Sequence, residues 1–60
     1  MSLSLLASTI HPEAQAFKVK AYAAYREADF AQAEINYLNA LNVDPEDMDS
    51  RYWLLKSLSK

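Results

Sequence analysis

The sequence predicts an all-α fold of short antiparallel helices, and three features support this prediction. No glycine occurs among the 60 residues, so the tight turns that join β-strands lack the residue they usually need. Alanine, leucine, lysine, glutamate and glutamine, which favour helix, are frequent. The two prolines, Pro12 and Pro45, fall where helices would begin or end, because proline is tolerated in a first helical turn and disfavoured inside a helix.

Apolar spacing places the first two helices. A short helix is expected over residues 3–9. A longer helix is expected to begin at His11-Pro12-Glu13 and to run to about residue 27, because its apolar residues recur at i, i+3, i+7 and i+10 and share one helical face. These residues are Ala14, Phe17, Ala21 and Ala24.

The third predicted helix follows Asp29, a good N-cap residue, and Gln32 three residues later completes a capping box. One face of this helix carries Phe30, Ala33, Tyr37, Ala40 and Leu41. Ile35 and Leu38 form a second apolar strip, so we expect contacts on two sides, as in the middle layer of a stack. Asp44-Pro45 ends the helix.

A final helix is predicted from about residue 47 to residue 58, with acidic residues at its positive N-terminal end. The acidic residues around this start are Asp44, Glu46, Asp47 and Asp49. A calcium loop needs a longer run of alternating oxygen ligands and a glycine, so we expect these acids to complement the helix start and expect no metal site. The helix also carries a broad apolar surface formed by Tyr52, Trp53, Leu54, Leu55 and Leu58.

Composition narrows the class of protein to a single helical domain over residues 1–60. The chain has no cysteine and one histidine, so it has no disulfide and too few ligands for a zinc site. Its net charge of −2 and its scattered cations argue against nucleic acid as a partner. The apolar opening lacks the positive start of a secretory signal and is shorter than the roughly 20 residues of a membrane span. We therefore expect a cytoplasmic protein.

Enzyme motifs are missing from the sequence. Without glycine the chain has no phosphate-cradling loop and no dinucleotide fingerprint. Without cysteine, a nucleophile and base would have to be built from serine and His11, and no nucleophile-elbow sequence supports such a pair. We expect neither an enzyme nor a cofactor.

The spacing of small residues, aromatic residues and proline resembles a tetratricopeptide repeat. The matching positions, in order and spacing, are Phe17, Ala21, the turn Ala28-Asp29-Phe30, Ala33, Tyr37, Ala40 and Pro45. Residues 3–12 would then be the second helix of a preceding repeat, and residues 47–60 the first helix of a following one. Lys20, Ala24 and Ala28 depart from the family's usual leucine, tyrosine and turn glycine. A sequence echo at an offset of 33 residues, Leu5 to Glu13 against Leu38 to Glu46, suits this repeat length.

The resemblance implies a binding groove, because the first helix of each repeat in that family lines the concave side. Lys18, Tyr22, Tyr25 and Arg26 would face a protein or peptide partner there, with aromatic area and cations for carboxylates. The alternative is that the tyrosines pack on neighbouring helices and the cations are solvated. Chaperone-binding members of the family hold a peptide C-terminus with lysines and asparagines. Tyr22 stands at the place of one such asparagine, so that particular activity is not expected.

The apolar surface of the last helix supports a second interpretation. A further helix would cover this surface in a full array, and exposed apolar patches of this kind mark interfaces. The leading hypothesis is a protein–protein interaction module. The alternative is a structural assembly subunit or small secretion-type chaperone that self-associates, or docks to a larger assembly, through the last helix. A three-helix bundle of the microtubule-interacting-and-transport type, which also binds peptide helices, is a third possibility.

Overall fold

The computed structural model describes residues 11–60, and this part of the chain consists of three α-helices joined by short turns. They are α1 (Pro12–Arg26), α2 (Phe30–Val43) and α3 (Met48–Leu58). The described part contains no strand, and the predicted all-α class is confirmed. Each helix begins and ends within about a residue of its predicted bounds. The helix predicted over residues 3–9 lies outside the described residues.

The turn between α1 and α2 is a Schellman motif with alanine in the place that glycine usually takes. Ala28 has a φ of 62°, in the left-handed region. The Asp29 N–H donates to the Ala24 carbonyl at 2.9 Å, and the Ala28 N–H donates to the Tyr25 carbonyl at 3.0 Å. An alanine side chain crowds the backbone in this conformation, which costs about 1–2 kcal/mol.

An aspartate caps the N-terminus of α2 and another caps α3. The Asp29 carboxylate accepts a hydrogen bond from the Gln32 N–H at 3.3 Å. The Asp29 N–H is already bonded to the Ala24 carbonyl, so the predicted capping box is only half formed. The Asp47 carboxylate accepts from the Ser50 N–H at 3.4 Å and from the Ser50 hydroxyl at 3.1 Å. These bonds satisfy N–H groups that have no partner within the helix.

Small residues form the contact between α1 and α2. Ala21, Ala33 and Ala40 are each 0% exposed, which confirms them as the points where the helices meet. Tyr37, 2% exposed, fills the space beside the alanines. α2 also packs against α3, whose Trp53 and Leu54 lie against the same alanine and tyrosine core. The second predicted strip is not buried within residues 11–60: Ile35 and Leu38 are 49% and 46% exposed, so the expectation of contacts through that strip is wrong.

The inward face of α3 combines two apolar residues with two serines. Trp53 and Leu54 are half-buried and pack against the alanine and tyrosine core. Ser50 and Ser57 are buried one turn to either side of them. Serine has here the same role as alanine in α1 and α2, because a small side chain lets two helices approach closely.

Candidate peptide-binding groove

An open groove lies between α1 and α3, with α2 at its base, and has a volume of about 380 Å³. Its lining residues are Gln15, Lys18, Val19, Tyr22, Ala23, Arg26, Tyr37, Asp49 and Trp53. Three of the four residues predicted to face a partner, Lys18, Tyr22 and Arg26, lie together along it. The structure therefore places the predicted face of α1 on a concave surface, which is the shape a ligand site needs.

Tyr25, the fourth predicted residue, is not part of the groove lining. Its ring packs edge-to-face against Phe30, with ring centroids 5.2 Å apart, and against Trp53 at the same centroid distance. Tyr25 therefore packs on the neighbouring helices, as the alternative interpretation predicted, and does not face the groove. Its role is to join the three helices, with one ring contact on α2 and one on α3.

Trp53 lines the groove, although its sequence neighbours suggested the outer surface of the last helix. Its ring meets Tyr22 edge-to-face with centroids 5.4 Å apart, so it links α3 to α1. Leu54 also turns inward. The predicted apolar surface is thus divided, and only Tyr52, Leu55 and Leu58 remain on the exposed side of α3.

A sequence signal could have placed Trp53 correctly. Trp53 follows Ser50 by three residues and precedes Ser57 by four, so the three residues share one helical face. Small residues at this spacing mark the helix contacts in α1 and α2. The small-residue criterion, when limited to alanine, misses this face of α3.

Lys18 holds the N-terminal end of α3. Its Nζ lies 3.1 Å from Asp47 Oδ2 and 3.8 Å from Asp49 Oδ2, and the Lys18 and Asp47 side chains are only 20% and 13% exposed. Burial by itself raises the pKa of Asp47, but hydrogen bonds from Lys18 and Ser50 and the Lys18 charge outweigh burial and lower that pKa below its ordinary value. Lys18 is therefore engaged within the fold and its charge is largely neutralised.

Arg26 lies toward the opposite end of the groove. It is exposed, and among residues 11–60 it forms no ion pair. Lys60 lies near the same end, with Nζ 5.8 Å from the Tyr25 ring centroid and 5.9 Å from that of Phe30. Arg26 follows Lys18 by eight positions in α1, which is a rise of about 12 Å along the helix. The groove therefore has a cationic end that is available to a ligand.

Tyr37 supplies a polar group at the base of the groove. Burial raises the pKa of Tyr37 to about 12, and the electrostatic influence of Tyr22, Asp49 and Tyr25 acts in the same direction. The phenol is therefore protonated at neutral pH and can donate a hydrogen bond, but it is not a base. Tyr37 is only 2% exposed, so it supports the groove from below and offers no group for proton transfer.

Two of the acidic residues near the start of α3, Asp44 and Asp47, form hydrogen bonds within the fold. The Asp44 carboxylate accepts a hydrogen bond from the Glu46 N–H at 3.2 Å, and Asp47 caps α3. Within the described residues no group of three or more histidine or acidic side chains is arranged to hold a metal ion. The same part of the chain has no helix with both the length and the apolar character to cross a bilayer.

Comparison with known proteins gives no match: neither a protein-family model, nor a curated protein, nor a solved structure is significantly similar to this chain. The resemblance to tetratricopeptide repeats therefore depends on the residue spacing and on the groove described above, and the family assignment stays a prediction.

Proposed function

We propose that this chain is a cytoplasmic protein–protein interaction module of the tetratricopeptide-repeat type, and not an enzyme. Its groove between α1 and α3 would hold a peptide segment of a partner protein. The observation that carries the proposal is the meeting of Tyr22 from α1 and Trp53 from α3 inside a groove that also contains an exposed cation, Arg26.

The aromatic pair gives the groove a suitable binding surface. Tyrosine and tryptophan offer large apolar areas with little side-chain entropy to lose, and they dominate many binding sites. Tyr22 is exposed and Trp53 half-buried, so both rings are reachable, while Tyr37 and the alanine core hold the helices beneath them. The binding surface is therefore already formed in the free chain, which lowers the cost of binding.

Selection from a displayed peptide library, followed by titration of the selected peptides, tests this function. Trp53 is the single tryptophan of the chain, so its fluorescence reports directly on the groove. Tyr22→Ala removes one wall of the groove and should weaken binding about tenfold or more, as expected for an aromatic contact residue.

Tyr52→Ala is the matched control. Tyr52 also meets Trp53 edge-to-face, with centroids 5.4 Å apart, but it lies outside the groove. The control should leave affinity nearly unchanged. Equal weakening by both substitutions, or failure of any library peptide to bind, would refute the groove function.

A second candidate function is favoured by the outer side of α3. Met48, Tyr52, Leu55 and Leu58 are all more than half exposed there, and apolar stripes of this kind are typical of interfaces. The chain would then be a structural assembly subunit or a small secretion-type chaperone that self-associates or docks through α3. Its solution molar mass should rise with concentration, and Leu55→Glu should abolish the rise. A constant monomer mass up to millimolar concentration would contradict self-association.

A further inference from the structure

We propose that the groove is electrostatically bipolar and selects peptide segments with a carboxylate toward Arg26 and a cation toward Asp49, on either side of an apolar or aromatic side chain. This inference rests on the proposed groove function and adds the charge pattern of the ligand. It follows from which charges in the groove are already paired.

The Asp49 end of the groove is acidic because its lysine is already paired. Lys18 lies closest to Asp47, at 3.1 Å, and is one cation between two carboxylates. Asp49 is 0.7 Å farther away and its side chain is 73% exposed. Lys18 and Asp47 together carry no net charge, so Asp49 leaves this end with an excess negative charge that solvent and ligand can reach.

The Arg26 end has the opposite sign. The Arg26 guanidinium is exposed, and the Lys60 ammonium lies over the neighbouring Tyr25 and Phe30 rings. Glu27 lies beside this end and lines a neighbouring depression with Arg26 and Ala23, but within residues 11–60 it forms no ion pair with Arg26 and it does not line the groove itself. A guanidinium binds a carboxylate through two parallel hydrogen bonds, so an acidic side chain is its natural ligand.

The middle of the groove is apolar and aromatic. Val19, Ala23, Tyr22 and Trp53 line the segment between the charged ends. One aromatic or branched apolar side chain would fit against the edge-to-face pair, with Tyr37 at the base of the groove. The walls of the groove provide apolar contact area for this side chain, and the two charged ends determine which charges the ligand should carry.

The separation of the ends fixes the spacing in the ligand. Lys18 lies beside Asp49, and the rise of about 12 Å along α1 from Lys18 to Arg26 therefore approximates the separation of the two ends. It corresponds to roughly four residues of extended chain. An extended ligand should therefore carry its acid and its base about four residues apart. In a helical ligand the same distance corresponds to about eight residues.

Three blocked pentapeptides with the shared centre Leu-Phe-Ala test the inference. One has Glu and Lys at its two ends, one has Glu at both ends, and one has Lys at both ends. None contains tryptophan, so the fluorescence of Trp53 gives each dissociation constant. The wild-type chain should bind the Glu/Lys peptide about fivefold more tightly than either like-charged peptide, as expected for one exposed charge pair. High salt should remove this preference.

A charge reversal supplies the sharper test. Arg26→Glu makes both ends acidic, so the peptide with two lysines should become the tightest ligand. Lys20→Glu is the matched control, because Lys20 is an exposed cation of α1 outside the groove, and it should leave the order of affinities unchanged. Circular dichroism of both variants should match the wild-type spectrum.

The possible outcomes separate this inference from the proposed function. Equal binding of the three peptides, or an unchanged order in Arg26→Glu, would overturn the bipolar groove and leave peptide binding intact. Preference of the wild-type chain for the doubly acidic peptide would show that Lys18 is available to ligands, and this would also overturn the inference. Failure of all three peptides at millimolar concentration, together with failure of the library selection, would overturn both proposals.

Discussion

Replacing either of the two buried serines of α3 with alanine should change the stability of the fold, but in opposite directions. Ser57 is 5% exposed, and its Oγ has no hydrogen-bond partner among residues 11–60. Ser57→Ala removes a buried hydroxyl that costs about 1–3 kcal/mol when unpaired. Alanine also favours helix over serine by about 0.5 kcal/mol. We expect Ser57→Ala to raise the free energy of unfolding by about 1–2 kcal/mol.

Ser50→Ala should do the reverse. Ser50 is fully buried and its hydroxyl donates to the Asp47 carboxylate at 3.1 Å. A hydrogen bond to a charged group contributes about 1.5–3 kcal/mol, and the better helix propensity of alanine offsets only about 0.5 kcal/mol of that. We expect Ser50→Ala to lower the free energy of unfolding by about 1–2 kcal/mol.

Urea unfolding followed by circular dichroism measures both changes, with Ser59→Ala as an exposed control that should stay within about 0.5 kcal/mol of wild type. In thermal unfolding each kcal/mol corresponds to about 4–8 °C for a domain of this size. A loss of stability in Ser57→Ala would refute the reasoning, because it would mean that the Ser57 hydroxyl has a partner. The free energy of unfolding should fall with urea concentration at the same slope in all variants, which would show that they undergo the same unfolding transition.

Two further predictions concern the turns and the ion pair. Ala28→Gly should stabilise the fold by about 0.5–1 kcal/mol, because glycine accepts the left-handed backbone of the Schellman turn without crowding; a fall in the thermal midpoint would contradict that backbone conformation. Because the pKa of Asp47 is lowered in the folded chain, its contribution to stability is present above its ordinary value of 3.8 and is lost as pH falls through the lowered pKa. Asp47→Asn keeps a capping side chain but removes the charge that pairs with Lys18. The wild-type chain should therefore be more stable than this variant at pH 7, and the difference in free energy of unfolding should shrink below about pH 4. A difference in urea unfolding that does not change with pH would argue against the pair with Lys18.

The helices and their contact residues could be predicted from the sequence because local rules determine them. Pro12 and Asp29 mark helix starts, and the alanine spacing marks the faces that meet. Ala28 occupied a turn position where glycine is expected, and the structure places it in the left-handed conformation that such a turn requires.

The details of the groove depend on contacts that the sequence does not display. Lys18 and Asp47 are 29 residues apart, and only the folded chain shows that their pairing removes Lys18 from the ligand surface. Tyr22 and Tyr25 differ by 60° around α1 on an ideal helix of about 3.6 residues per turn, too small an angle for hydropathy to separate groove from core.

The outer and inner sides of α3 present a similar difficulty. Four consecutive residues, Tyr52 to Leu55, are apolar and point around the whole helix, so apolar character alone does not select the buried side. The serines at positions 50 and 57 select it, because they are small enough to lie where α3 meets its neighbour. A polar residue type thus marked the buried face.

Mapping a bound peptide by NMR is the most direct test of the central claim that α1 and α3 together form the binding surface. Backbone and side-chain amide signals of the ¹⁵N-labelled chain would be followed during titration with a library-selected peptide. We predict that signals of Tyr22, Arg26 and Trp53 shift together, while those of Leu55 and Leu58 do not. Shifts confined to the outer side of α3 would contradict the account.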